Sequence, residues 1–232
     1  MPELPPERVA LLEATLPPSP ILPIDLFSRG TDMQWDRFKN VRPDDYIHHY
    51  PEILDLKVSA ASGTYDVVGV TNWRGQTLDR RLSFSDDLGL ERGARVVAFD
   101  FWGQRSLGVF TGDLPLAVEP HDTAVVLLHP ELGRPQLVGT SRHITGAHSI
   151  ASLEWDASSQ RLLGSSRAIP GEAYALFVHV PDGVTVTAAH ATVSGGDEIP
   201  VSRVKDGVSL RLAFEGQQEP VQWTVDFRGR SR

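Results

Sequence analysis

The chain has 232 residues and a mass of 25.5 kDa, with 41% hydrophobic and 22% charged residues, a composition that builds a buried core and excludes wholesale disorder. It contains no cysteine, so disulfide scaffolds, thiolate zinc sites and cysteine nucleophiles are excluded together. Asp and Glu number 30 against 22 Lys and Arg, a formal charge of -8, which argues against nucleic acid or an anionic membrane surface as partner because phosphate binding needs a basic footprint.

One helical pattern stands near the start. Pro5 and Pro6 suit a first turn, and Glu7 complements the positive end of the helix dipole. Val9, Leu12 and Leu16 fall at i, i+3 and i+7 on one face, with Leu11 beside them. Pro17-Pro18 stop the helix, and so short a segment needs a cover for its apolar stripe. Residues 17–30 read as a proline-punctuated connector, too apolar at Ile21, Leu22, Ile24, Leu26 and Phe27 to be a free linker. Residues 31–52 carry Trp35, Phe38, Tyr46 and Tyr50 without a clear period. No basic segment followed by an apolar one marks a secretory signal, so the cytoplasm is the expected compartment, and no apolar run approaches the ~20 residues of a membrane span.

From Ile53 onward the texture changes to short β-type runs separated by turn residues. Strands are predicted at 53–58, 65–72, 76–84, 95–101, 107–111, 114–118 and 123–128. A second set, after His129-Pro130 and Gly133-Arg134-Pro135, reads 136–141, 152–155, 161–166, 174–180, 184–189, 191–193, 199–204, 208–214 and 221–227. Ser62-Gly63, Asp156-Ala157-Ser158-Ser159, Pro181-Asp182-Gly183 and Asp206-Gly207 are read as hairpin turns. Strands recurring about every ten residues predict an all-β fold of two antiparallel β-sandwiches behind one short α-helix. The predicted division is 1–34 for the helix and connector, 35–132 for the first sandwich and 133–232 for the second.

Chemistry-bearing constellations are sparse. His48-His49 are neighbours whose side chains diverge in an extended chain, and His143 and His148 lack a third ligand, so no metal site or cofactor is expected. Asp44-Asp45, Asp86-Asp87 and Asp197-Glu198 are adjacent pairs beside turn residues, where side chains point apart and acids are ordinarily solvated. There is no Gly-x-Ser-x-Gly and no phosphate loop, so no catalytic residue is assigned. Tryptophans remain. Trp73 and Trp102 each end a predicted strand and could stack on a pyranose ring, with Asn72, Asp100 and Arg105 placed to bond its hydroxyls. Trp155 and Trp223 suit a sandwich core.

These segments resemble, in order, the C-terminal part of melibiase-type α-galactosidases. Pro6-Glu7-Arg8-Val9-Ala10-Leu11-Leu12 through Leu16-Pro17-Pro18 is similar to the last barrel helix of those enzymes, and Ile24-Asp25-Leu26-Phe27 to the stretch after it. Val70-Thr71-Asn72-Trp73, Leu88-Gly89-Leu90, the run from Val97 to Trp102 and Leu107-Gly108 resemble the sandwich that follows the barrel. Thr140-Ser141-Arg142-His143-Ile144-Thr145-Gly146 resembles the passage into the last β region. In that family a (β/α)8 barrel carries two catalytic aspartates, and a barrel takes about 250 residues of strand–helix alternation that this sequence lacks.

The resemblance implies a non-catalytic accessory segment of a retaining glycoside hydrolase, bracing a catalytic barrel carried in the same protein or on a partner chain. Homo-oligomerisation through the N-terminal helix is a further expectation. The competing expectations are a free-standing carbohydrate-binding module using Trp73 and Trp102, and a small β-sandwich enzyme using dispersed acids or His143 and His148.

Overall fold

The computed structural model describes residues 5–16 and 52–229. The connector, the aromatics Trp35, Phe38, Tyr46 and Tyr50, and the pairs Asp44-Asp45 and His48-His49 lie outside the described residues. The helical pattern forms α1 (Pro6–Thr15), with Pro5 at its N-cap and no side-chain cap bond there. The first set of strands is β1 (Ile53–Ala60), β2 (Gly63–Thr71), β3 (Leu78–Ser83), β4 (Arg95–Asp100), β5 (Arg105–Thr111), β6 (Asp113–Val118) and β7 (Thr123–Pro130). The second is β8 (Gln136–Thr140), β9 (Ile150–Asp156), β10 (Arg161–Ser166), β11 (Ala173–His179), β12 (Val184–Thr192), β13 (Ser202–Asp206), β14 (Ser209–Glu215) and β15 (Val221–Gly229). The fold is all-β with antiparallel pairing throughout the described strands, behind one short helix, as the spacing of apolar runs and turns predicts. No helix among the described residues is long and apolar enough to cross a membrane.

Three local predictions are corrected. The runs 184–189 and 191–193 are one strand, β12, whose register against β15 shifts between Val186 and Ala188, so a bulge rather than a turn breaks its alternation. β13 begins at Ser202 instead of Ile199, which bonds back to the Ala191 carbonyl at the end of β12. Pro181-Asp182-Gly183 is a turn, closed by Val184 N–H donating to the Pro181 carbonyl, but it is not a hairpin: β11 and β12 lie in different sheets. The turns at 62–63, 156–159 and 206–207 do join paired strands. At the second, Asp156 accepts hydrogen bonds from the Ser158 and Ser159 backbones and hydroxyls, which hold its carboxyl far below the usual carboxylate range.

Four sheets stack face to face. Sheet I is β3-β6, sheet II is β1-β2-β7-β4-β5, sheet III is β13-β14-β11-β8 and sheet IV is β12-β15-β10-β9. Sheets I and II enclose a core of Leu78, Leu82, Leu114 and Val118 against Val68, Val70, Val96, Ala98, Val126 and Leu128. Sheets III and IV enclose another, with Leu176, Val178, Leu210 and Leu212 against Leu162, Trp223, Val225 and Phe227. Trp223 fills it; the ring lies over Gly164, where a Cβ would come within 2.2 Å of it, and Nε1–H donates to Ser166 Oγ at 2.9 Å.

A third core lies between the two sandwiches. Val67, Val97, Phe99, Val125 and Leu127 of sheet II meet Val138, Ala175 and Phe177 of sheet III. The Phe99 and Phe177 rings sit 4.8 Å apart, and the approach at Gly139 is so close that an added Cβ would fall 2.5 Å from the Phe99 ring. Sheets II and III are therefore apolar on both faces. In β7, Val125 and Leu127 point to one core while Val126 and Leu128 point to the other, all buried.

The same layer holds polar groups that are matched or shut in. Tyr65 stacks on His129 with ring centroids 4.0 Å apart, and its hydroxyl donates to the Thr145 carbonyl, tying β2 to the segment after β8. Burial pushes the Tyr65 phenol up to about 12. Burial also pushes the His129 imidazole down to about 3, against a smaller opposing effect of its bond to the Val138 backbone. A folded-state value below the unfolded value near 6.5 fixes the sign. Above pH 6.5 His129 is neutral in both states; as pH falls from 6.5 towards 3 only the unfolded chain takes up the proton, so stability is lost across that window at roughly 1.4 kcal/mol per pH unit for this group. Urea unfolding at pH 7 and pH 5 should therefore show wild type losing about 2 kcal/mol more than the His129→Phe variant between the two conditions.

Candidate functional site

The strand-end tryptophans sit at one end of sheet II. β2 and β4 both pair antiparallel with β7, which lies between them, so they run parallel and their C-terminal ends emerge together. Trp73 follows β2 and is 39% exposed; Trp102 follows β4, is 42% exposed and leans edge-on against the Phe101 ring at 4.9 Å. Phe101 itself belongs to the inter-sandwich core, so the Trp102 indole rests on a fixed support.

The polar residues predicted to accompany them are committed to the fold. Asn72 is fully buried. Its Nδ2 donates to the carbonyls of Gln76, Val118 and Glu119 at 2.8–3.0 Å, and its Oδ1 accepts from Arg74 N–H at 2.9 Å. These bonds fasten the end of β2 to sheet I and engage both ends of the amide within the fold. Asp100 closes the β4–β5 hairpin, accepting from Gly103 N–H at 3.0 Å and from Arg105 Nε at 3.1 Å. Its carboxylate is partly exposed and the Arg105 side chain mostly so, which leaves hydrogen-bonding capacity at the hairpin tip beside Trp102.

The carboxylates and histidines resolve differently. Asp55 and Asp66 do converge, but on Lys57, whose Nζ lies 2.9 and 2.8 Å from them and also donates to the Leu88 carbonyl. The ammonium stands between the two carboxylates, in the gap that a scissile glycosidic oxygen would need. Asp87 accepts from Ser83 N–H and pairs with Arg80 in a turn, and Glu198 is a surface carboxylate 3.7 Å from His190. His143 and His148 meet edge to face at 4.4 Å. His143 Nδ1 accepts from Thr145 N–H and pairs with the Thr145 hydroxyl, an arrangement that shapes the turn after β8. Among the described residues no group of three His, Asp or Glu could hold a metal ion.

The helix is held by its carbonyl end. Ile144 N–H donates to the Ala14 carbonyl and Arg142 Nη1–H to the Glu13 carbonyl, satisfying groups that a helix end leaves open and setting a cation against its negative pole. Ala14 packs on the inter-sandwich core. A gap of about 190 Å³ remains beneath the helix, bordered by Ala10, Glu13, Ser141 and Tyr174. Val9, Leu11, Leu12 and Leu16 are 38–51% exposed, so the helix is pinned down while its apolar stripe faces outward.

With this geometry in place, the comparisons are informative. Residues 57–128, from within β1 to within β7, match the alpha galactosidase C-terminal beta sandwich domain. Over this stretch, which makes most of sheets I and II, the resemblance in the sequence is borne out: it is similar to the C-terminal β-sandwich domain of alpha galactosidases. Among solved structures, an isomalto-dextranase of Arthrobacter globiformis T6 complexed with panose is similar at 15% identity and a TM-score of 0.30, over 77% of this chain and 35% of that one. The chain thus spans about a third of the length of that enzyme. No curated protein matches.

Asn72 and Trp102, just beyond the ends of β2 and β4, do opposite things here, and thermal unfolding separates them. Asn72→Ala removes the side-chain donor from one buried and two half-buried carbonyls and should cost about 2 kcal/mol, while Trp102→Ala, at an exposed strand end, should leave stability within about 1 kcal/mol of wild type.

Proposed function

We propose that this chain is a non-catalytic accessory region of an α-galactosidase-like glycoside hydrolase: two β-sandwiches, divided near residue 132, that brace a catalytic barrel. The observation that carries the reading is the outward stripe of α1. A helix whose backbone end is capped by Arg142 and Ile144, and whose Val9, Leu12 and Leu16 are left in solvent, is built to receive another apolar surface. The likeness of residues 57–128 to the alpha galactosidase C-terminal beta sandwich makes a barrel the favoured occupant. A second copy of the chain is the competing one.

The test uses the purified full chain alone and mixed with a separately purified α-galactosidase-type barrel. The chain alone should show no hydrolysis of aryl α-galactosides. The mixture should form a complex in sedimentation velocity, weakened at least tenfold by Leu12→Asp with Leu16→Asp while the sandwiches keep their melting temperature. Turnover by the chain alone sinks the proposal, and a concentration-dependent dimer lost in the same variant transfers the stripe to self-association.

A carbohydrate-binding role is the second reading, favoured by the indoles of Trp73 and Trp102 at one sheet end with Asp100 and Arg105 beside Trp102. Such a site would bind through ring stacking. Calorimetry against galactosides and glucosides should then give a millimolar Kd that Trp102→Ala raises about tenfold or more; the absence of heat at millimolar ligand removes this reading.

A further inference from the structure

Two Asp-Gly pairs occur in the sequence, Asp182-Gly183 and Asp206-Gly207, and both fall in exposed turns. The turns are neighbours in space. Asp182 and Val208 border one groove at the edge of the middle layer, with Arg95, Glu131 and His179 on its other walls. An aspartate before glycine is open to attack on its own side chain, because a residue without Cβ leaves its backbone nitrogen unhindered.

The fold treats the two pairs differently. Asp206 and Ser209 are the last pair of the β13–β14 hairpin, so Gly207 and Val208 form its loop. Gly207 takes a φ of 53°, the positive value that the first loop position of a type II′ turn requires. β13 is the edge strand of sheet III, paired on one side with β14, and each of its residues is exposed. A Cβ added at Gly207 would meet nothing within 4 Å. Bringing the Gly207 nitrogen against the Asp206 side chain therefore needs only the fraying of one strand pair at a rim.

Asp182-Gly183 lacks that freedom. Pro181 fixes its own φ, and Val184 N–H donates to the Pro181 carbonyl across the turn at 3.1 Å. Val180 and Val184, on either side, are buried in the core between sheets III and IV. Gly229, at the end of β15, packs so close that a Cβ there would fall 2.2 Å from the Gly183 carbonyl oxygen. Turning this peptide means pulling two core residues and a β15 contact apart.

We propose that Asp206-Gly207 is a site of spontaneous aspartate isomerisation, and that the fold protects Asp182-Gly183 from the same reaction. The Gly207 nitrogen attacks Cγ of the Asp206 carboxylic acid. The N–Cγ bond forms, and the acid's hydroxyl leaves as water with the proton of that nitrogen, closing a five-membered succinimide. Water then opens the ring. Addition at Cγ restores aspartate. Addition at the α-carbonyl breaks the original peptide bond, so the chain runs through the side chain as isoaspartate and carries a free α-carboxylate. The water lost in the first step returns in the second, and nothing is oxidised or reduced. The product lengthens the hairpin by one backbone atom, which an exposed tip accommodates and a packed turn does not.

The experiment ages the purified full chain in neutral buffer beside two synthetic peptides, 201–212 and 178–188, which give the rate of each pair without the fold. Isoaspartate is counted by methyl transfer from S-adenosylmethionine with an isoaspartyl methyltransferase, and located by peptide mapping. In the folded chain Asp206 should convert within about threefold of the rate in its peptide, and Asp182 at least about tenfold more slowly than in its own. Gly207→Ala, which crowds the attacking nitrogen, should slow conversion at Asp206 about tenfold or more. Equal slowing of the two sites relative to their peptides, faster conversion at Asp182, no isoaspartate at Asp206 once its peptide has converted, or an unchanged rate in Gly207→Ala overturns the proposal.

Discussion

Burial of sheets II and III on both faces is the constraint from which the rest of the architecture follows. A sandwich with one wet face alternates apolar and polar residues along each strand. The central strands here cannot. β4 buries Val96, Val97, Ala98 and Phe99 in succession, β7 buries Val125 to Leu128, and β11 buries Tyr174 to Val178. Each run fills two cores at once, and the middle core is close enough that Gly139 has room only for hydrogen beneath the Phe99 ring. Cutting the chain near residue 132 would expose that layer, so the two sandwiches fold against one another through a surface as apolar as their own interiors.

This arrangement explains where the polar residues went. At the end of sheet II the Asn72 amide is spent on the backbone carbonyls of Val118 and Glu119, and the Tyr65 hydroxyl reaches across the middle layer to Thr145. His129 lies stacked against Tyr65 as a neutral ring. Among the described residues, features that stay open at the margins include two indoles at a strand end, a groove where the middle layer opens and a helix held by its last carbonyls.

Legibility of the site followed from how local its causes were. Trp73 and Trp102 were readable as strand-end aromatics because strand ends are marked by nearby turn residues, and parallel placement of β2 and β4 brought them to one end. Asn72 was readable only as a polar neighbour: the carbonyls that engage it belong to Gln76, Val118 and Glu119, and two of the three are more than forty positions away. The groove was not legible at all. His179 looks like one polar residue closing the strand 174–180, and nothing near it in sequence says that Arg95 and Glu131 will stand opposite. The continuous apolar runs did carry a signal of two-sided burial, since a strand with a wet face rarely holds four such residues in a row.

By itself the sequence determined the class of the protein: apolar runs about ten residues apart, punctuated by Ser-Gly, Asp-Gly and Gly-Arg-Pro turns, leave no way to build anything but antiparallel strands behind one short helix. It also determined the outer sheets, whose alternation is plain in Leu78 to Ser83 and in Val221 to Phe227. Only the tertiary structure decided which faces meet. Turn chemistry acts over two to five residues, whereas the choice to press Phe99 onto Phe177 and Gly139 is made between strands far apart in the chain, by the apolar area both sheets must remove from water. That choice places the groove at the edge of the middle layer.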